Sequence, residues 1–91
     1  MKDQTLLKLI TETIAVMEEM PPDSSVELLI GPYDAIVHDA RENHPAVAFL
    51  QACRPYKEVG TMEKFELQLL FTQLRIVLEA LQEEKQPPKA P

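Results

Sequence analysis

The stretch VHDARENHPAV, residues 37–47, gathers both histidines of a 91-residue chain together with acids and an arginine. An imidazole beside carboxylates is the raw material of a metal site or of general acid–base chemistry. On a helix, His38 stands four residues from Asp34 and four from Glu42, so each acid is its neighbour on one face. The two acids are eight residues apart, about 12 Å along the axis at the rise of an α-helix, and all three groups cannot share one ion. A zinc site would need His44, across the turn at Pro45, or ligands from another helix. The spacing therefore predicts a solvated helix end, with His44 as a polar residue at the start of a helix opened by Pro45.

Other chemistries find less to work with. The chain has two glycines, Gly31 and Gly60, and no glycine-rich phosphate loop. Its single cysteine, Cys53, falls on an apolar stripe, which predicts a packed thiol, no internal disulfide and a reducing, cytoplasmic setting. No apolar run approaches the roughly 18 residues of a membrane span, and the charged start at Met1, Lys2 and Asp3 lacks a signal-peptide core. The expectation is a non-enzymatic chain with no cofactor, no resident metal and no membrane contact.

One short match needs placing. DSSVELL, residues 23–29, resembles the prosthetic-group site of acyl carrier proteins. Ser25 stands where the Asp-Ser-Leu motif of that family has leucine, and the connection before Asp23 is far shorter than the long first loop of the family. No modification is carried over to Ser24.

Two glycines, 45% apolar and 26% charged residues and few β-branched runs point to a globular, helical chain. A first helix, capped by Asp3, is expected to run to about Met20, with Leu6, Leu7, Leu9, Ile10, Ile14, Val16, Met17 and Met20 on one half of the wheel. Pro21 and Pro22 stop it, and Ser24 with Glu27 forms a capping box that starts the next helix. Gly31 and Pro32 either end that helix or place Pro32 in the first turn of a new one. Tyr33, Ile36, Val37 and Ala40 then mark a buried stripe as far as Asn43, and Ala46, Phe49, Leu50 and Cys53 repeat the spacing after Pro45. The loop RPYKEVG, residues 54–60, leads to the longest helix, about Thr61 to Glu84.

That last helix carries two apolar faces. Leu67, Leu70, Leu74, Val77 and Leu81 follow heptad spacing, with Phe71 and Leu78 beside them. Phe65, Leu69, Ile76 and Ala80 lie on another side, with Glu66 and Gln73 between the two stripes. One face must meet the core of the domain; the other meets either another helix of the chain or a second molecule. The architecture expected is all-α, a bundle of four to five helices over residues 1–84 with the last helix as its spine, followed by a disordered Pro-rich tail at 85–91.

The net charge of −6 lies wholly in the first half. From Leu9 to Ala40 there is no Lys or Arg, while Glu12, Glu18, Glu19, Asp23, Glu27, Asp34 and Asp39 contribute seven acids. Direct nucleic-acid binding needs a basic footprint that is missing here. The leading functional expectation is a small acidic adaptor or regulatory subunit working by protein–protein contact or self-association as a homodimer. Its contact residues are Phe65, Leu69, Ile76 and Ala80, with Arg54 and Tyr56 in the loop as the aromatic and guanidinium types favoured at hot spots. The alternatives are an acidic decoy that occupies a basic nucleic-acid-binding surface, and a metal-dependent activity at His38, Glu42 and His44.

Overall fold

The computed structural model describes residues 1–53, 55–59 and 61–85, and among these it contains helices and no strand. Arg54, Gly60 and the tail at 86–91 lie outside the described residues, as do the side chains of Tyr56, Glu84 and Lys85. The helices are α1 (Asp3–Glu19), α2 (Ile30–Asn43), α3 (Ala48–Gln51), α4 (Tyr56–Val59) and α5 (Lys64–Lys85), with a 3-10 turn at Glu27–Leu29 before α2. The all-α architecture with a long final helix is the one the periodicity predicts.

Helix α1 buries Leu6, Ile10, Ile14 and Met17, at successive four- and three-residue steps. Leu7, Leu9 and Met20 pack at its margins, whereas Val16 is 55% exposed. The apolar face is thus narrower than the half-wheel expected, because only about 100° of a helix faces its neighbours. The helix stops at Met20, which is extended, and the following prolines cannot donate the backbone bonds that would prolong it.

Asp3 does not cap α1. Lys2 holds the N-cap position and makes no side-chain cap, while Asp3 sits in the first turn. The capping box at Ser24 is also absent. Ser25 Oγ accepts the Glu27 N–H at 3.2 Å, a local turn that leads into the 3-10 segment, and α2 begins later, at Ile30. Pro32 is then the third residue of α2, where its missing N–H costs nothing because the first turn has no partner for it. Tyr33, Ile36, Val37 and Ala40 are all buried, and Asn43 ends the helix.

After Pro45 the chain makes a turn, and α3 opens at Ala48, placing Leu50 in the core and Phe49 and Cys53 at its edge but leaving Ala46 exposed. Part of the expected loop is helical: α4 is a single turn whose Val59 is fully buried.

Polar contacts at the helix ends fix the up-and-down topology. Lys64, at the start of α5, donates from Nζ to the Met20 carbonyl at the end of α1, 2.7 Å away. A cation on the orphan carbonyls of a helix C-terminus is favourable, and α1 has no basic residue of its own in its last turn. At the other end of α1, Asp3 meets His44, just beyond α2. Helix α1 therefore runs antiparallel to both α5 and α2 and packs against both. Across the core the Tyr33 and Phe71 rings meet edge to face, 5.8 Å apart at 87°, tying α2 to α5.

Candidate interaction face on the last helix

Helix α5 is 22 residues long, and its two sides differ in what they touch. Leu67, Phe71, Leu74 and Leu78 are completely buried. The expected seam is rotated towards Phe71 and Leu78, leaving Leu70, Val77 and Leu81 half-buried on its flank. On the opposite side Phe65 is 63%, Leu69 57% and Ile76 59% exposed, and Ala80 is exposed with them. No described element covers that line. At 100° per residue these four positions span about 60° of the wheel, centred nearly opposite the buried face.

Beside the line runs an open groove of ≈ 360 Å³ lined by Met62, Glu66, Leu69, Leu70 and Gln73. Three of its lining residues are apolar and two polar. Thr72, within the face, is satisfied locally: its hydroxyl donates to the Gln68 carbonyl at 2.9 Å. Arg75 and Glu79 stand four residues apart on one flank with 4.0 Å between their charged atoms, a weak exposed pair.

Of the other expected contact residues, Arg54 lies outside the described residues. Tyr56 opens α4, and its side chain is likewise outside the description.

The two histidines part company. His38 is exposed, with Nδ1 3.0 Å from Asp39 Oδ1 and Nε2 3.5 Å from Glu42 Oε1. The hydrogen bond to Asp39, followed by the Glu42 charge, raises its pKa above the ordinary 6.5. Asp39 in turn is held below the usual carboxylate value, first by the N-terminal ammonium of Met1 and then by His38. His38, Asp39 and Glu42 can each offer one ligand atom within 4.8 Å of the others. As placed, however, the carboxylates sit on different nitrogens of one ring, and Asp39 already neutralises an ammonium. The cluster is an exposed ion-pair network on the edge of an open cleft that also includes Asp34, Arg41 and Gln51.

His44 is not part of that cluster, and it is not an exposed residue at a helix start. It is buried, with Nε2 2.6 Å from Asp3 Oδ2, the imidazole N–H donating to the carboxylate. Asn43 Nδ2 donates to the other Asp3 oxygen at 3.1 Å and to the Met1 carbonyl at 2.7 Å. The acid lies in the first turn of α1, where a negative charge suits the helix dipole, and the imidazole lies just past the last turn of α2. The ligand set His38, Glu42 and His44 is therefore not assembled. Asp3 and His44 are 41 positions apart, and no local spacing signals their pairing.

Cys53 is half-buried, its thiol donating to the Phe49 carbonyl at 3.5 Å, and burial pushes its pKa up. A raised thiol pKa opposes nucleophilic use. Among the described residues no helix is long and apolar enough to cross a membrane. Comparison with protein-family models, with curated proteins and with solved structures finds no match to this chain.

Proposed function

We propose that this chain works through protein–protein contact, as a small acidic adaptor or regulatory subunit of the cytoplasm, with the outer face of α5 as its docking surface. The observation that carries the reading is the row of large apolar side chains, Phe65, Leu69 and Ile76, each more than half exposed along one helix. Scattered exposed apolar residues need no explanation, but several large ones aligned on one helix face support an interaction site. A helix offering anchors at such spacing is also a recurrent recognition element. Catalysis finds less support: the most evident cluster of titratable groups is open to water, and the thiol is held protonated.

The test is site-specific photo-crosslinking of the full chain in a cell extract, with a photoreactive residue at position 69 or, as a control, at the exposed Glu12 of α1. Cross-links to a protein chain from position 69 and none from position 12 are expected. Equal yields from both, or none from either, reject the surface.

A second reading, an acidic decoy for a basic nucleic-acid-binding surface, is favoured by one observation. Glu12, Glu18, Glu19, Asp23, Glu27 and Asp34 are exposed. Binding of that kind weakens steeply as salt rises, and an association indifferent to salt counts against it.

A further inference from the structure

The spacing of the outer face has a symmetry that narrows its occupant. Phe65, Leu69, Ile76 and Ala80 are separated by four, seven and four residues, so the set maps onto itself when the helix is reversed about the point between Thr72 and Gln73. We propose that this face is covered by the same face of a second copy of the chain, with the two α5 helices antiparallel about a two-fold axis at Thr72–Gln73. The inference rests on the reading of this face as a docking surface and names what docks.

An isologous contact requires that residue i of one copy meet residue j of the other and the reverse. Reversal about that axis sets Leu69 against Ile76 and Phe65 against Ala80, large against small, so that the summed volume is even along the seam. A parallel, in-register pair would instead stack Phe65 on Phe65 and Ala80 on Ala80, crowding one end and leaving a gap at the other.

The charges agree. The residues at the axis, Thr72 and Gln73, are uncharged, so the position where each copy meets its own kind carries no repulsion. Glu66 and Glu79 are on opposite flanks of the face. Antiparallel pairing brings like flank to like flank in reversed order, placing Glu79 beside Gln68 of the other copy and Glu66 beside Ala80, so that neither acid meets the other.

The area is small but adequate for a weak pair. Phe65, Leu69 and Ile76 are each more than half exposed, and two such faces with their flanks amount to on the order of 1,000 Å², the low end for specific association. A reversible, concentration-dependent dimer is the form this predicts, with the groove beside Leu69 and Leu70 receiving the Ile76–Ala80 end of the second helix.

The experiment is light scattering on the full chain over a wide concentration range, combined with disulfide trapping in a Cys53→Ser background. Mass rising from one chain towards two is expected, with association weakened by about 30-fold or more in Leu69→Asp. Thr72→Cys, close to the axis, is expected to cross-link to itself on mild oxidation. Ala80→Cys is not, because the two copies of that position lie roughly 22 Å apart along an antiparallel pair. A chain that stays monomeric at every concentration overturns the second copy, as does a dimer indifferent to Leu69→Asp. Cross-linking through Ala80→Cys in place of Thr72→Cys overturns the antiparallel arrangement.

Thiol labelling of Leu69→Cys in such a monomer then separates the two claims. Rapid modification leaves the face open as a docking surface for another chain. Slow modification shows it covered within its own chain, and both claims fall.

Discussion

The inner and outer faces of α5 are made of the same kinds of residue and meet opposite fates. Leu67, Phe71, Leu74 and Leu78 are fully buried, while Phe65, Leu69 and Ile76 are more than half exposed a third to half of a turn away. Nothing in hydrophobicity separates them. The difference lies in what the remaining helices can reach. Helix α1 lies along the inner side and α2 reaches it through Tyr33, while the short α3 and α4 pack mainly on α2. A small domain with two long partners for its last helix can cover one face of it and not the other. The lesson is that a second apolar stripe on a terminal helix measures a shortage of covering elements.

The contrast is sharpest in stability. Phe71→Ala removes a fully buried ring together with its edge contact to Tyr33 and is expected to cost about 3–5 kcal/mol by chemical unfolding. If the loss is under 1 kcal/mol, the inner face is not the core.

Next in size is the polar clasp that holds α1 onto the end of α2. His44→Ala leaves the Asp3 carboxylate without its imidazole partner in a site where both side chains are nearly buried, and about 2–3 kcal/mol should be lost. The Asp3→Asn, His44→Ala double variant should lose less than the sum of the two single changes. Strict additivity would mean that the pair is not coupled.

On the outer face, Leu69→Ala should change the unfolding free energy of the monomer by less than about 0.5 kcal/mol, since the side chain has little protein to lose. A loss as large as that of Phe71→Ala would erase the distinction between the faces.

The smallest effects are electrostatic. His38 is held above 6.5, so its contribution is fully present below that value and fades as pH rises through its higher folded-state pKa. Asp39 is held below 3.8, so its contribution is present above that value and is lost as pH falls through the lower folded-state pKa. Both groups are screened by water, and the shift in melting temperature across either window should be slight. His38→Ala should remove the small change on the alkaline side, and zinc or a chelator should leave the melting temperature unmoved. A rise of several degrees with zinc would turn the His38 cluster into a metal site.

Much of this was legible in the residues, and the failures have physical causes. The stripe Tyr33, Ile36, Val37, Ala40 and the stop at Asn43 could be read directly, because helical periodicity and burial coincide when a helix has one neighbour-facing side. Val16 broke the pattern because an apolar residue at the margin of a face is buried only if a partner is wide enough to reach it. Asp3 has the character of a cap because capping is a local habit of aspartate. It is recruited instead by a histidine 41 positions away, and sequence spacing carries no record of that approach.

The sequence by itself determined the all-α class, the long first and last helices, the buried stripe of α2 and the existence of two apolar faces on α5, since propensity, proline stops and 3.6-residue periodicity are short-range properties of the chain. Tertiary structure alone decided which face is covered, which histidine is buried and where Lys64 finds its carbonyl. These depend on the order in which helices pack and on how much surface a chain of this length can close over, and neither is written within any single turn.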